Sequence, residues 1–474
     1  MTDTAAPDPR PLLPRRRFVQ LAVGGLGAAV AGFALYRFLN DDDPTAAVDG
    51  LTTDPARGGY GPLTDAGPLL ALPVGFAYAE LTYDGRTMSD GRPTPGAPDG
   101  MAAFDAADGA IRLVRNHELG GGATTVTPAY DPAAAGGTTT LVIDPDSREL
   151  VADWTSLAGT SRNCAGGPTP WGSWITCEET VDGPDQGFAA PHGYAFDVAA
   201  DAEAPVEPIA LTGMGRFRRE AVAVDAEQGV VYQTEDAEPD AGLYRYVVDA
   251  GPAAPGRPLD LVGGGRLQAL AVVDRPGLDL RSVAEEGATF PVGWVDIDEP
   301  DADVEGGISV VGQAVAAGAA RFRRLEGCDI DDGSVWFTST DGGHGNGQIW
   351  RLDPARPGAD DDAVSGPAEG GTLTMAFAAV DGEVLQGPDN LVLSPQGSLV
   401  ICEDNGRGFN RLVALSPDGA LIPLVANIAN DKEFAGATFS PDGRTLFVNT
   451  QGSDLRGIRG RTFAIWGPWG DGAV

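Results

Sequence analysis

One short motif recurs along most of the chain: a tight turn that ends in glycine, then a strand rich in Val, Ile, Trp, Tyr and Phe, then polar residues. Strands that follow an Asx-Gly turn in this way are typical of β-hairpins. Repeated hairpins over one long chain favour an all-β fold, a β-propeller whose blades surround a central channel. The turn glycines are Gly109, Gly172, Gly229, Gly333, Gly397 and Gly443, with a further copy at Gly419.

We predict a single six-bladed propeller over residues 55–474, with roughly 70 residues for each blade and its loops. The long interval between Gly229 and Gly333 leaves seven blades as the alternative. The apolar run from Phe463 to Trp469 is expected to form or adjoin a closing strand, because a closed ring must join the two ends of the chain.

Acidic residues outnumber basic ones, 68 to 32, which gives the 474-residue chain a net charge of −36. This charge disfavours nucleic acid as a partner, because a phosphate backbone would be repelled. The hydrophobic content of 42% is too high for a disordered chain. We therefore expect a folded protein that does not bind nucleic acid.

The N-terminus has the features of an export signal. Arg15, Arg16, Arg17 and Phe18 precede an apolar run over residues 21–35, which is the order of a basic region and a hydrophobic region. This pattern resembles a twin-arginine signal, and an ordinary signal anchor is the alternative. We predict that residues 1–47 form the signal or a retained anchor with its linker. The protein would then use the twin-arginine export machinery, reach the periplasm or the exterior, and contact membrane only through this segment.

Metal-capable side chains precede the turn glycines at a nearly constant distance. Cys164, Glu220, Glu326 and Asp389 lie seven to nine residues before the glycine of their motif, and Glu433 lies ten before. These side chains are expected to converge, because equivalent residues of innermost strands meet at one mouth of a propeller channel. Carboxylates brought so close raise one another's pKa values, and bound cations would relieve the repulsion. The alternative is that these acids belong to ordinary surface turns.

The residue types limit the metals that such a cluster could hold. None of the three histidines, His117, His192 and His344, belongs to a HExxH or paired-histidine motif, which disfavours a common zinc hydrolase. Carboxylate oxygens favour Ca2+ and also ferric iron. Cys164 would be out of place in a calcium-only site and suggests a softer or redox-active ion beside calcium. Alternatively, Cys164 is a small buried apolar residue.

Several local motifs occur in the order found in one enzyme family. The most specific is the run NCAGGPTPWG over residues 163–172, followed by the acidic pair Glu178-Glu179. In these motifs the chain resembles the PhoX alkaline phosphatases, a family of exported bacterial proteins. The weaker matches are Asn116-His117-Glu118, Gly215-Arg216-Phe217 before Glu220, Arg324-Leu325-Glu326, Pro388-Asp389 and the segment from Glu433 to Gln451.

The resemblance implies a hydrolase of small phosphate monoesters that is active at alkaline pH, with Ca2+ and Fe3+ in the channel of a six-bladed propeller. It implies that Cys164 is the thiolate ligand of iron. Arg324 is similar to the arginine that grips the phosphate, and Asn163 is a second catalytic candidate. The carboxylate metal ligands that the resemblance implies are Glu118, Glu178, Glu220, Asp236, Glu326 and Asp389.

The sequence departs from the family pattern beside two of these positions. It has Arg219-Glu220-Ala221 where many relatives have His-Glu-Gly, and Arg324-Leu325-Glu326-Gly327 where better-known members have Arg-Pro-Glu-Trp.

Two other functions stay open. A calcium-dependent propeller lactonase or esterase would leave Cys164 without a role. A non-enzymatic, calcium-stabilised propeller would bind partners at the cell surface.

Overall fold

The computed structural model describes residues 51–474, except for residues 303–307, 356–369, 381–383, 406–408 and 454–455. All of these residues belong to the second of the two units into which the chain divides, residues 44–474. The segment predicted to be an export signal, residues 1–47, lies outside the described residues. Among the helices of the described part, none combines the length and the apolar character needed to cross a membrane.

Frequent glycines and prolines divide the sequence into short apolar segments, so strands form most of the regular structure. The first thirteen strands are β1 (Leu63–Asp65), β2 (Leu70–Pro73), β3 (Ala77–Tyr83), β4 (Pro98–Asp105), β5 (Ile111–His117), β6 (Gly136–Ile143), β7 (Leu150–Thr160), β8 (Asn163–Pro168), β9 (Ser173–Glu178), β10 (Ala195–Ala199), β11 (Arg219–Asp225), β12 (Val230–Glu235) and β13 (Leu243–Val248). The next thirteen are β14 (Gly265–Val272), β15 (Thr289–Asp296), β16 (Leu325–Asp331), β17 (Ser334–Ser339), β18 (Gln348–Pro354), β19 (Gly371–Ala378), β20 (Pro388–Leu393), β21 (Leu399–Glu403), β22 (Arg411–Leu415), β23 (Leu421–Asn427), β24 (Phe434–Phe439), β25 (Thr445–Thr450) and β26 (Arg461–Trp466).

Helical structure is sparse in the described residues. The α-helix α1 (Val310–Ala316) follows Ser309, whose side chain accepts a hydrogen bond from the backbone N–H of Gly312. Short 3-10 helices occupy Pro55–Arg57, Pro184–Gln186, Thr212–Met214 and Trp469–Asp471.

The described strands form five antiparallel sheets. Four of them have the strand orders β1-β2-β23-β22-β21-β20, β10-β9-β8, β24-β25-β26-β3 and β4-β5-β6-β7. The fifth has nine strands in the order β11-β12-β13-β14-β15-β19-β18-β17-β16. It consists of two four-stranded meanders, β11–β14 and β16–β19, with β15 paired between their outer strands. The architecture is therefore all-β and propeller-like, as the recurrent motif predicts.

Strands from the N-terminal and C-terminal parts of the described chain meet in one sheet. Strand β26 pairs with β3 in antiparallel register, with Trp466 opposite Ala77 and Arg461 opposite Tyr83. The closing strand expected from the apolar C-terminal run is thus confirmed.

Six strands contact one another in a closed cycle and form what we call the inner ring: β4, β8, β11, β16, β20, β24 and again β4. Small residues allow their close approach. A Cβ on Gly100 would lie 2.6 Å from Cα of Ala165, and a Cβ on Gly327 would lie 2.6 Å from the carbonyl oxygen of Asp389. Side-chain bulk is therefore excluded where the inner strands meet.

Apolar side chains fill the spaces between neighbouring sheets and between the two meanders of the nine-stranded sheet. Phe322, Phe337 and Trp350 are fully buried in the largest of these clusters, and the rings of Phe337 and Trp350 stack with centroids 6.5 Å apart. Burying one such side chain contributes about 1.5–3 kcal/mol relative to leaving it exposed. This packing holds the inner ring and the side chains at its mouth in fixed positions.

Candidate active site

The second residue of each inner-ring strand lies at an irregularity in strand pairing. In all six strands the register with the following strand shifts directly after the first or second residue. Such β-bulges re-aim side chains and are common beside functional sites. Five of the six residues at this position can bind a metal: they are Asp99, Cys164, Glu220, Glu326 and Asp389, and the sixth is Ala435.

A second set of side chains stands beside these residues. Each inner-ring strand is followed in the chain by a second strand, which is β5, β9, β12, β17, β21 or β25. The residue directly after this second strand donates its backbone N–H to the carbonyl oxygen of the residue directly before the inner-ring strand. Both positions therefore lie at the same end of the sheets. This hydrogen bond recurs six times: Glu118 to Ala97 (2.9 Å), Glu179 to Arg162 (2.9 Å), Asp236 to Arg218 (3.0 Å), Thr340 to Arg324 (3.0 Å), Asp404 to Gly387 (2.8 Å) and Gln451 to Glu433 (3.1 Å).

The two sets together produce three overlapping groups that could each hold a metal ion. In each group the potential ligand atoms lie within 4.8 Å of one another. Cys164 belongs to two groups and Glu220 to two, so the groups form one continuous cluster. The groups are Asp99, Glu118 and Cys164; Cys164, Glu179 and Glu220; and Glu220, Glu326 and Asp389.

The structure brings together five residues that the sequence proposed as metal ligands: Glu118, Cys164, Glu220, Glu326 and Asp389. It adds Asp99 and Glu179, which the sequence analysis did not select. Asp99 lies ten residues before Gly109, within the spacing that the other motifs show, so the repeat contained a signal for it. Glu179 was part of the recognised acidic pair, but only the strand register reveals that it faces the cluster.

Glu178 lies outside the three groups, because successive residues of a strand point to opposite faces. Its carboxylate is fully buried and accepts hydrogen bonds at both oxygens. Oε1 accepts from the backbone N–H of Ser161 at 2.8 Å and lies 2.6 Å from Nδ1 of His192. Oε2 accepts from the N–H groups of Gly193 at 2.7 Å and Tyr194 at 3.1 Å. These contacts satisfy Glu178 without a metal.

Two other candidates occupy supporting positions. The side chain of Asn163 is buried, where Oδ1 accepts from Thr160 at 2.6 Å and Nδ2 donates to Thr176 at 2.9 Å. Asp236 lies beside the cluster and accepts a hydrogen bond from Nε of Arg324 at 3.1 Å. Asn163 therefore fixes the strand next to Cys164, and Asp236 holds the arginine.

Burial and mutual repulsion shift the protonation of the cluster. Burial, followed by neighbouring carboxylates, raises the pKa values of Glu220, Glu326 and Asp389 well above their usual range. Burial and then the charge of Asp99 raise the pKa of the Cys164 thiol, and burial raises the pKa of Glu179 to about 7. Cations bound at the mouth of the inner ring would lower these pKa values again, because they favour the charged carboxylates and thiolate.

The residues present fit bound metal ions. Within the described residues, Oε2 of Glu220 is buried and has no hydrogen-bond partner. Seven potential ligands supply carboxylate oxygens and one thiol, a donor set suited to hard cations with one softer ion among them. Glu433 lies outside the three groups, but burial and then the charges of Asp404 and Asp389 raise its pKa.

Two arginines approach the cluster from equivalent positions before inner-ring strands. Nη2 of Arg324 lies 2.8 Å from Glu326, and Nη2 of Arg162 lies 2.7 Å from Glu118 and 2.6 Å from Glu179. Both have left-handed backbone conformations, with φ of 44° for Arg324 and 51° for Arg162. Burial opposes their charge, but the adjacent carboxylates outweigh it and raise the pKa of both guanidinium groups.

Arg219, which replaces a histidine of the family pattern, points away from the cluster. Its guanidinium is fully buried and donates to the carbonyl oxygens of Gly193, Met214 and Gly215. Burial lowers its pKa to about 10. Arg219 therefore organises the backbone next to Glu220.

Comparison with known proteins agrees with this fold. The sequence matches the family described as alkaline phosphatase PhoX over residues 58–153 and 145–454. PhoX of Pseudomonas fluorescens, solved with the transition-state analogue vanadate, is similar in structure, with a TM-score of 0.63 and 18% identity. The match covers 87% of this chain and 98% of that chain.

Weaker similarity extends to other solved proteins. A gluconolactonase of Xanthomonas campestris has a TM-score of 0.40 and 14% identity, over 85% of this chain and 99% of that one. A luciferin-regenerating enzyme has a TM-score of 0.38 and 11% identity, over 83% and 96%. No protein with curated function matches the sequence. Since the family match extends over most of the described residues, the chain belongs to the PhoX alkaline phosphatase family.

Proposed function

We propose that the protein is an exported phosphatase that hydrolyses small phosphate monoesters with calcium and iron ions at the mouth of the inner ring. Family membership supports a phosphatase, and the three ligand groups beside Arg324 support a metal-dependent one. The choice of metals depends on one observation, the thiol of Cys164 among carboxylates. A soft ligand has no use in a calcium-only site.

The residues can be assigned to the two kinds of ion. Groups that contain Cys164 would hold Fe3+, because ferric iron accepts both thiolate and carboxylate ligands. The all-carboxylate group of Glu220, Glu326 and Asp389 would hold Ca2+. When bound, these ions would supply positive charge to the phosphate oxygens and stabilise the charge that develops during hydrolysis.

The side chains around the ions would bind and orient the ester. A phosphate monoester is a dianion, and a protein with a net charge of −36 repels it except where positive charge is concentrated. Arg324 would donate from its planar guanidinium to two phosphate oxygens. Asp236 and Glu326 keep that guanidinium in position at 3.1 and 2.8 Å. Asn163 would act as a positioning residue through its buried contacts beside Cys164.

We further propose six blades and the twin-arginine export route. Counting the two meanders of the nine-stranded sheet separately gives six, and the backbone hydrogen bond at the mouth recurs six times among the described residues. The basic and apolar order of residues 15–35 supports export to the periplasm or the exterior.

The direct test is hydrolysis of p-nitrophenyl phosphate by protein purified after export through its own signal. We expect iron and calcium in elemental analysis, activity at alkaline pH, loss of activity on chelation and recovery when both ions are restored. A metal-replete protein that opens lactones but leaves the phosphate ester intact would instead support the lactonase alternative. Metal binding without either activity would support the non-enzymatic one.

A further inference from the structure

Three consecutive inner-ring strands are preceded by arginine. Arg162, Arg218 and Arg324 lie directly before β8, β11 and β16, and these strands are neighbours in the ring. The carbonyl of each arginine accepts the same backbone hydrogen bond, from Glu179, Asp236 and Thr340 respectively. We call these three residues the arginine arc. They stand at equivalent positions beside the metal-ligand groups in a chain with 32 basic and 68 acidic residues.

The arc contains one uncompensated charge. Arg162 and Arg324 each contact two carboxylates, whereas the side chain of Arg218 is exposed and makes no hydrogen bond or ion pair among the described residues. Its backbone also differs, because φ is positive at Arg162 and Arg324 but not at Arg218. The guanidinium of Arg218 is therefore available to a group that comes from solvent.

We propose that Arg218 is a substrate-binding residue that contacts the part of the ester beyond its phosphate and favours esters with a second anionic group. The inference rests on the proposed phosphatase function, in which Arg324 and the metal-ligand groups take the phosphate. Arg218 stands one strand away from Arg324 and remains free. A free guanidinium binds carboxylate or phosphate through two parallel hydrogen bonds, and the acidic surface elsewhere offers few competing sites.

Two esters distinguish this role from general attraction of anions. 3-Phosphoglycerate and glycerol 3-phosphate are both three-carbon esters of a primary alcohol, and the first has a carboxylate where the second has a hydroxymethyl group. We expect Arg218→Gln to lower the ratio of kcat/KM for the first ester to that for the second about tenfold, mainly through KM. Arg218→Lys should lower it less, because charge is kept and the planar fork is lost.

Arg257→Gln is the matched control. Arg257 is exposed and lies between β13 and β14 of the same meander, at the opposite end of the strands from Arg218. Arg257→Gln removes the same charge as Arg218→Gln, but the ratio of kcat/KM values for the two esters should be unchanged. Metal content and far-UV circular dichroism should match between all variants.

A second measurement uses the unmodified protein. Raising ionic strength should lower the wild-type ratio, because salt screens an exposed charge. An unchanged ratio in Arg218→Gln, including equal losses for both esters, would overturn the inference and leave the phosphatase function standing. A wild-type ratio that salt does not affect would also overturn it. Failure of the metal-replete wild type to hydrolyse either ester or p-nitrophenyl phosphate would instead overturn the proposed function.

Discussion

Glu178 and Glu179 are adjacent in sequence and serve opposite faces of the end of β9. The Glu179 carboxylate joins Cys164 and Glu220 in a potential metal group, whereas the Glu178 carboxylate accepts hydrogen bonds from three backbone N–H groups and contacts His192. One acid is therefore placed to bind metal and the other to hold the backbone.

Replacing each acid with glutamine should separate these roles. Glu178→Gln should lower the free energy of unfolding of the metal-free protein by about 2–3 kcal/mol, because buried hydrogen bonds to a charged group are lost. Glu179→Gln should lower the metal content but stabilise or leave unchanged the metal-free fold, since burial and neighbouring acids disfavour the Glu179 carboxylate more than Arg162 favours it. Urea unfolding and elemental analysis of both variants check this. Equal metal loss in the two variants would contradict the division.

The buried pair of Glu178 and His192 should make stability depend on pH. Burial disfavours the charged imidazole, but Glu178 and then Asp131 outweigh it and raise the pKa of His192. A raised pKa in the folded state means that the protonated histidine stabilises the fold. This contribution is full below about pH 6.5, the ordinary histidine pKa, and is lost as pH rises through the folded-state pKa.

We therefore expect the difference in unfolding free energy between wild type and His192→Gln to be largest at low pH and to decrease above neutrality. Urea unfolding of the metal-free proteins at a series of pH values measures this difference. A difference that grows with pH would show that the imidazole is neutral in the folded protein.

Sequence analysis could locate those candidate metal ligands whose positions follow from the repeated strand and turn motif. Cys164, Glu220, Glu326 and Asp389 could be found because each motif has an inner strand and a turn of nearly constant length, and Asp99 obeys the same rule. The resemblance implied Glu178 as a metal ligand, but the sequence gives no physical ground for choosing between Glu178 and Glu179, because the choice depends on which face of β9 meets the mouth. A single residue of register reverses that choice.

Strand pairing between distant segments of the chain could not be predicted from the sequence either. The interval between Gly229 and Gly333 left room for another blade, and the structure has β15 and α1 in this interval. Strand β15 pairs with both β14 and β19 and joins two meanders into one sheet. A linking strand of this kind has no local signal, because its two partners lie before and after it in the chain and are chosen by tertiary packing.

The small residues of the inner ring should tolerate no added volume. At Gly327 a methyl group would lie 2.6 Å from O of Asp389 and 2.7 Å from N of Leu391, both of them backbone atoms. We expect Gly327→Ala to lower the free energy of unfolding by about 1–3 kcal/mol, since packed backbone must move. Gly470→Ala is the control, because no atom lies within 4 Å of the added methyl group. Thermal unfolding of the two variants should differ accordingly, and similar midpoints would show that the inner ring adapts.

The thiol of Cys164 should determine which metal is retained. It belongs to two of the three potential metal groups, and its Sγ lies 3.7 Å from Oδ2 of Asp99. Cys164→Ser keeps the volume and removes the soft ligand, so iron should be lost while calcium largely stays. Elemental analysis of the exported variant measures both. Cys177→Ser is the matched control, because Cys177 is buried outside the three groups and its replacement should leave both ions in place. Full retention of iron by Cys164→Ser would remove the thiolate from the site.

Arg324 should affect catalysis without affecting metal content. Its guanidinium bridges Asp236 and Glu326, so two interpretations compete: a group that grips phosphate, or an ion-pair partner that neutralises the cluster. Arg324→Lys keeps the charge and loses the planar fork. If the fork binds phosphate in the transition state, kcat/KM for p-nitrophenyl phosphate should fall about tenfold to a hundredfold with iron and calcium unchanged. If Arg324 only neutralises charge, lysine should replace it with little loss. Kinetics and elemental analysis of the same preparation separate the two, and a fully active Arg324→Lys enzyme would exclude Arg324 from phosphate binding.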